Sequence, residues 1–255
     1  MNETIGNKIT LDLSKITNLP VFKDKIIAKS KTKRDLKINK NLDLTNRLLR
    51  DLYLTVGDGS FYKGVYLSNI NYRIHKSFIK TFTEYFNIKK NEFVTSLSVN
   101  NNFSKDDIKK SRLFWIKTLN LDKIDRFYLT NFNTYICGDV KVIYDNKQLS
   151  ILLNNIIFHV NNLIYKNKLN KEQLCFILDV VLNAEGSASI DNERCCLHKI
   201  VISFNNHNIA EKELFFQILD KLNLSSLVEI KQENKYKISR WYNHYKFIKV
   251  FVENK

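Results

Sequence analysis

The sequence predicts an α+β protein made of two pseudo-symmetric αββαββα halves with antiparallel sheets. Three observations predict this class. Stretches with apolar residues at helical spacing alternate with short runs of period two, which are typical of half-buried strands. The stretch Asp51–Phe61 (DLYLTVGDGSF) recurs in plan at Leu178–Ala188 (LDVVLNAEGSA), which indicates a duplication. A chain of 255 residues is also long enough to bury a substantial core.

The first half begins with a helix predicted over Leu42–Gly57, which Asp43 or Thr45 would cap. The alternation that follows predicts a strand or tight hairpin with Phe61, Val65 and Leu67 facing the core and Tyr62, Tyr66 and Ser68 facing outward. Later apolar spacing predicts helices over Ile74–Phe86, Asp106–Leu119 and Lys147–Leu163. Ser104 would cap the second of these helices, with Phe114 and Trp115 on its buried side. Strands are predicted over Phe93–Val99, Asp125–Thr130 and Asp139–Tyr144, the last with Val140 and Val142 on one face and Lys141 and Ile143 on the other.

The second half repeats this order in a shorter form. Asn170 and Gln173 suit a reciprocal cap at the start of a helix over Lys171–Ala184. The remaining elements are predicted as strands over Ser187–Asp191, Leu197–Asn205, Leu227–Gln232 and Tyr236–Ser239, and as helices over Ala210–Leu222 and Tyr242–Val252. The predicted domains are an N-terminal extension (1–40), a first half (41–165) and a second half (166–255).

Residues 1–40 are basic, contain the only proline, Pro20, and are predicted to be irregular. Two interpretations of this extension stay open. It is either an arm that contacts DNA, or a solvated tail or extension that packs on the first half.

The net charge of +15, from 41 Lys and Arg against 26 Asp and Glu, favours a polyanionic partner such as nucleic acid. Part of this signal has a second explanation, because an AT-rich genome also enriches Lys, Asn and Ile. That bias suggests an origin in a mitochondrion, a plastid or an AT-rich microbial cytoplasm.

The cysteine pattern predicts reduced thiols in a reducing compartment. Adjacent Cys195 and Cys196 have poor disulfide geometry, and no C-x-x-C pair exists. A metal cluster of these two residues with His198 lacks a second pair of ligands. No apolar run approaches the roughly 20 residues that a membrane-spanning helix needs, so no membrane partner is expected.

The two repeated stretches each end a helix with an acid, Asp58 or Glu185, followed by glycine and serine. The carboxyl end of a helix carries partial negative charge, so an acid there favours a nearby cation. Gly59 and Gly186 suit positions where the chain leaves a helix in a left-handed conformation. The repeat therefore predicts that each half contributes one carboxylate to a shared metal site.

These paired motifs, with the strand and helix order that follows each, resemble the single-chain, two-motif homing endonucleases of the LAGLIDADG family. The resemblance covers about Leu42–Val252. It implies that the two motif helices pack side by side at a pseudo-twofold axis, and that strands of both halves form a DNA-binding saddle. It also implies a monomeric, magnesium-dependent and site-specific endonuclease that acts on double-stranded DNA in intron homing.

The resemblance assigns roles by position. Asp58 and Glu185 would bind Mg²⁺, or Mn²⁺ or Ca²⁺ in its place, together with the backbone carbonyls of Gly57 and Ala184. The family also has a catalytic lysine on the last strand of each half, which gives Lys141 and Lys237. The outward strand residues that would read DNA in the major groove are Tyr62, Tyr66, Ser68, Lys199, Ser203 and Asn205.

Departures from the family pattern keep a second function open. Tyr53 and Val180 replace the glycine of the third motif position, and the strands after the first motif are short. These features favour a descendant that binds nucleic acid without cutting it, such as a maturase that assists the splicing of a group I intron RNA. An unrelated carboxylate-pair enzyme such as a glycosidase explains neither the repeat nor the charge.

Overall fold

The computed structural model describes residues 9–131, 137–191, 196–203, 209–225, 228–232 and 235–238. It is a mixed α+β fold whose sheets are mainly antiparallel, as predicted. The chain divides into one compact unit of residues 8–157 and another that contains residues 158–255. The predicted helix over Tyr242–Val252 lies outside the described residues.

The N-terminal region is not irregular, because residues 10–43 form five short strands. They are β1 (Thr10–Asp12), β2 (Val21–Phe22), β3 (Lys25–Ala28), β4 (Leu36–Asn39) and β5 (Asn41–Asp43). Strands β2, β3 and β4 form one antiparallel sheet, and β1 pairs with β5. Ile26, Ala28, Leu36 and Ile38 are fully buried. Their alternation with more exposed neighbours is the period-two signal of a half-buried sheet, and the extension from residue 8 onward belongs to the compact unit of residues 8–157.

Helix α1 spans Asn46–Asp58, and Thr45 caps it by accepting a hydrogen bond from the Leu48 amide at 3.2 Å. The predicted start at Leu42 was wrong, because Leu42 pairs with Leu11 in the β1–β5 sheet. The helix buries an apolar face that includes Leu48, Leu49 and Leu52. A helix that begins at a side-chain cap and buries one face gains most of its stability from that packing.

The central sheet of the first unit has the order β6-β7-β10-β8-β9. Its strands are β6 (Gly59–Ser60), β7 (Val65–Asn69), β8 (Val94–Asn100), β9 (Arg126–Thr130) and β10 (Asp139–Tyr144). All neighbours are antiparallel except β8 and β9, which run parallel. One face buries Val65, Leu67, Leu97, Val99, Val140 and Val142. The predicted inward positions of β7 and β10 are therefore confirmed.

Three more helices belong to or begin in this unit: α2 (Tyr72–Phe86), α3 (Lys105–Leu119) and α4 (Lys147–Tyr165). Phe78, Phe82 and Phe86 of α2 are buried, as the helical spacing predicts. Ser104 caps α3 through the Asp107 amide at 3.2 Å. Trp115 is fully buried, but the side chain of Phe114 remains 37% exposed, so its predicted burial was wrong. Adjacent residues on a helix point about 100° apart, and the narrow buried stripe of α3 accommodates only one of the two.

The second unit contains α5 (Lys171–Glu185), α6 (Ile209–Lys221) and a four-stranded antiparallel sheet. The strands are β11 (Gly186–Asp191), β12 (Cys196–Ser203), β13 (Val228–Gln232) and β14 (Lys235–Ile238), in the order β11-β12-β14-β13. The predicted cap of α5 is confirmed: the Asn170 amide donates to Gln173 Oε1 at 3.1 Å, and the Gln173 amide donates to Asn170 Oδ1 at 2.8 Å.

Gly59 departs from its predicted geometry. Its φ is −148°, so the chain does not leave α1 in a left-handed conformation. Glycine is required for another reason: a Cβ at this position would lie 2.0 Å from the carbonyl oxygen of Tyr66 and 2.9 Å from that of Thr55. The helix end and β7 approach too closely for any side chain between them.

Replacing Gly59 by alanine should therefore lower the free energy of unfolding by about 1–3 kcal/mol, as overpacking typically does. Urea denaturation followed by circular dichroism measures this change. The control is Lys37→Ala, at an exposed position of β4, which leaves the contact between α1 and β7 intact and should leave the urea midpoint near that of the wild type. An unchanged urea midpoint for Gly59→Ala would contradict this prediction, because it would show that the end of α1 and strand β7 can move apart at little cost.

Among the described residues, no helix is both long and apolar enough to cross a membrane.

Candidate metal and nucleic-acid site

Asp58 is the last residue of α1, and β6 begins directly after it. Because Gly59 pairs with Leu67 and Ser60 with Tyr66, the end of α1 lies beside the end of β7. There Asn69 Nδ2 donates to Asp58 Oδ2 at 2.8 Å. Burial raises the pKa of Asp58, which is half-buried, whereas the hydrogen bond from Asn69 opposes that rise.

Asp139 is a second carboxylate at the same end of the sheet. It opens β10, where Val140 pairs with Asn69 and Lys141 pairs with Ser68. Ser68 Oγ donates to Asp139 Oδ2 at 3.0 Å. Burial raises the pKa of Asp139, while the Ser68 hydrogen bond and the positive charge of Lys141 act in the opposite direction.

The two acids influence each other. The negative charge of Asp139 adds to the effect of burial in raising the pKa of Asp58. Asp139 Oδ1 is buried and has no hydrogen-bond partner within the described part of the chain. Two partly desolvated carboxylates with a bare oxygen make a local negative charge that a cation would relieve.

Asn69, which donates to Asp58, is itself held by two further hydrogen bonds. Its Oδ1 accepts from the Asn71 amide at 2.7 Å, which fixes the orientation of its amide group. Its main-chain carbonyl accepts from His75 Nε2 at 2.7 Å. Burial lowers the pKa of His75 to about 4, so the ring is neutral near pH 7 and Nε2 carries the proton that it donates. The ring packs edge-on against Trp115 at 5.6 Å.

The face of the central sheet opposite the core is polar. By register, β10 residue Lys141 lies between Ser68 of β7 and Ser96 of β8, while Ser96 and Ser98 pair with Arg126 and Tyr128 of β9. Lys141 Nζ lies 3.6 Å from the centre of the Tyr66 ring. Ser96 is only 5% exposed, so it is left out of the set that we call the polar sheet face: Tyr66, Ser68, Ser98, Arg126, Tyr128 and Lys141.

The predicted site residues of the first half are thus partly brought together. Asp58 and the Gly57 main chain end α1, and Lys141, Tyr66 and Ser68 share the polar sheet face. Tyr62 is 78% exposed, but it lies in the loop between β6 and β7 and not on a strand.

In the second unit only the backbone of the predicted site is described. Ala184 and Glu185 end α5, and Gly186 then starts β11 and pairs with Ile202 of β12. Lys199 and Ser203 lie on β12, and Lys237 on β14 pairs with Val201. The structure describes the backbone of these site residues but not their side chains. Asn205 lies outside the described residues.

Sequence reasoning missed Asp139, Asn69 and the contribution of β8 and β9. Asp139 could have been found, because it stands two residues before Lys141 and period two places both on one face of the strand. Asn69 and Arg126 carry no comparable local signal. Their position depends on pairings between distant strands.

The residues present fit a hard divalent cation. Carboxylate, hydroxyl and main-chain carbonyl oxygens are the ligands that Mg²⁺ and Ca²⁺ prefer. Asp58 and Asp139 supply carboxylates, and Asp139 Oδ1 is unpartnered as noted above. Within the described residues, no group of three or more His, Cys, Asp or Glu side chains could hold a metal ion. The pair would therefore need water or phosphate oxygens to complete a coordination shell.

Comparison with known proteins adds no identification. No protein-family model matches the chain, and no curated protein matches it.

Proposed function

We propose that this chain is a site-specific endonuclease of the homing type that cuts double-stranded DNA with Mg²⁺. The observation that carries the proposal is the Asp58 and Asp139 pair, which lies at the end of a sheet with a polar and basic outer face. The net charge of +15 supports a polyanionic substrate. At both Asp58 and Glu185, a helix ends in an acid, which is followed by glycine and serine at the start of a strand. This recurrence supports the family resemblance.

In this proposal, Asp58 and Asp139 hold the cation in the first half, and Glu185 supplies the corresponding acid of the second half. A bound Mg²⁺ lowers the pKa of a coordinated water and stabilises negative charge on the leaving oxygen. Asn69 occupies one oxygen of Asp58, which would leave the other oxygen for coordination. The ammonium of Lys141 lies on the same face as Asp139 and stabilises negative charge on the phosphate.

The polar sheet face would bind the duplex. Hydroxyl, guanidinium and phenol groups on alternate strand residues suit base edges in the major groove, where each base pair shows its own pattern of donors and acceptors. The family resemblance implies that the sheet of the second half would contact the duplex as well. The DNA contacts of the second half would come from Lys199, Ser203 and Asn205.

A second function, binding without cleavage, is favoured by one observation. Strand β6 has two residues and β7 has five, so the ribbon after the first motif is short. A short ribbon contacts few base pairs, which suits a maturase-like protein that binds intron RNA.

Incubation with a randomised duplex library in Mg²⁺ or Mn²⁺ distinguishes the two functions. The endonuclease should release fragments that share one site, because cleavage selects the sequence that the polar sheet face reads. Sequencing of the cut ends identifies that site. Retained binding with no cut molecules in either metal would favour the binding-only function.

A further inference from the structure

Helix α3 exposes two large apolar side chains, Leu113 and Phe114. Its buried residues are Ser111, Trp115 and Leu119, which form a single stripe. Leu113 is 56% exposed and Phe114 is 37% exposed. Large apolar side chains grouped on a surface mark interaction sites more often than isolated ones do.

The exposed ring of Phe114 is held in place by two other aromatic residues. Trp115 is fully buried and packs edge-on against Phe114, with ring centres 5.4 Å apart. Tyr72, at the start of α2, also packs edge-on against Phe114, with ring centres 6.5 Å apart. A ring fixed by its neighbours loses little conformational entropy when a flat ligand stacks on it.

Cations surround this aromatic pair. The Lys76 ammonium and the Arg73 guanidinium lie 5.2 Å and 5.9 Å from the centre of the Tyr72 ring. Arg73 Nε donates to the Tyr72 hydroxyl at 3.4 Å. On α3, Lys110 and Lys117 stand four residues before and three residues after Phe114, so helical spacing places both beside it. The α2–α3 surface consists of Tyr72, Arg73, Lys76, Lys110, Phe114 and Lys117.

We propose that the α2–α3 surface binds an unpaired stretch of nucleic acid, RNA or DNA. Bases stack on Phe114 and Tyr72, and the four cations hold the phosphates. Aromatic platforms combined with a basic track bind single strands because every base has a face that can stack. A duplex presents base edges and not faces, so the aromatic pair adds nothing to duplex binding. The excess of cations around the rings favours a polyanion over a protein partner.

This inference goes beyond the proposed function, because the α2–α3 surface shares no residue with the polar sheet face. The full chain would then hold a duplex on the sheet and an unpaired strand on the helices. Each surface has its own variants and its own probe, so one can fail without the other.

Fluorescence anisotropy with three labelled probes tests the inference: an unpaired RNA, an unpaired DNA of the same mixed sequence, and the matching duplex DNA. The double variant Tyr72→Ala with Phe114→Ala should bind both unpaired probes about 10- to 100-fold more weakly. Its affinity for the duplex should not change. If only one unpaired probe loses affinity, that probe identifies the sugar of the ligand.

Phe22→Ala is the matched control, because Phe22 is 66% exposed and has the ammonium of Lys23 5.7 Å from its ring. It should bind all three probes like the wild type. A second variant, Lys76→Gln with Lys117→Gln, leaves the aromatic packing intact and should reduce the slope of log affinity against log salt by roughly one to two for the unpaired probes.

Three results would overturn the inference. The first is wild-type affinity of both double variants for the unpaired probes. The second is an equal loss for the duplex and the unpaired probes in an aromatic variant that melts at the wild-type temperature, which would show that both ligands share one surface. The third is equal weakening by Phe22→Ala, which would show that any exposed ring contributes.

Discussion

Replacing Asp58 by asparagine should abolish cleavage of the selected duplex site while affinity for DNA stays near that of the wild type. The amide has the size of the carboxylate but removes its negative charge, which the proposed cation requires. Loss of several kcal/mol of metal-dependent stabilisation corresponds to a rate reduction of about a thousandfold or more. Cleavage rates in Mg²⁺ and DNA affinity in Ca²⁺ measure the two properties separately.

The same variant has a readout that does not depend on cleavage. Mn²⁺ bound to the protein can be counted by electron paramagnetic resonance, and Asp58→Asn and Asp139→Asn should each weaken its binding. Asp24→Asn is the matched control, since its side chain is 77% exposed and lies in a different sheet region, between β2 and β3. Wild-type cleavage by Asp58→Asn would remove this residue from the catalytic site.

Replacing Asp51 by alanine should lower the free energy of unfolding by about 2–4 kcal/mol. Asp51 is 1% exposed, and its carboxylate accepts hydrogen bonds from Ser77 Oγ at 2.7 Å and Thr81 Oγ1 at 2.5 Å. Arg50 Nε also donates to it at 3.0 Å. Alanine removes the acceptor that α1 provides to the two hydroxyl groups of α2. It also removes the carboxylate partner of the partly exposed Arg50 guanidinium.

Urea denaturation measures this loss, and Glu84→Ala is the matched control. Glu84 is paired with Arg47 on the same two helices, but its side chain is 46% exposed. An exposed ion pair contributes about 0–1 kcal/mol, so the control should unfold close to the wild type. The triple variant Asp51→Leu, Ser77→Ala, Thr81→Ala should recover most of the stability, because apolar replacement of a whole buried network is often neutral. Equal urea midpoints for Asp51→Ala and Glu84→Ala would contradict the assigned role.

The elements that were predicted correctly are those whose information is local. Thr45, Ser104 and the Asn170–Gln173 pair each satisfy amide groups within the next turn of their own helix, so neighbouring residues suffice to identify them. The inward faces of β7 and β10 follow from period-two alternation, and that of α2 follows from helical spacing. In β7, β10 and α2, the tertiary structure buries the face that the local pattern of apolar residues predicts.

The failures have physical causes of another kind. The five N-terminal strands have only two to four residues each, and runs that short show too little period-two alternation to be distinguished from irregular structure. Gly59 was expected to adopt the left-handed conformation that often ends a helix. Glycine is required there instead because a Cβ would clash with the Tyr66 carbonyl of β7. Phe114 shows that an apolar residue at helical spacing is buried only where a neighbouring element covers it.

The sequence by itself determined the kinds of residues available: two helices that each end in an acid and a glycine, a large excess of lysine, and strands of defined polarity. Only the tertiary structure decided which of these residues meet. Asp58 and Asp139 come together because β7 pairs with β10 and α1 ends against β7. Such pairings join residues far apart in the chain, and their energies depend on register and close packing, which no local pattern of residues encodes.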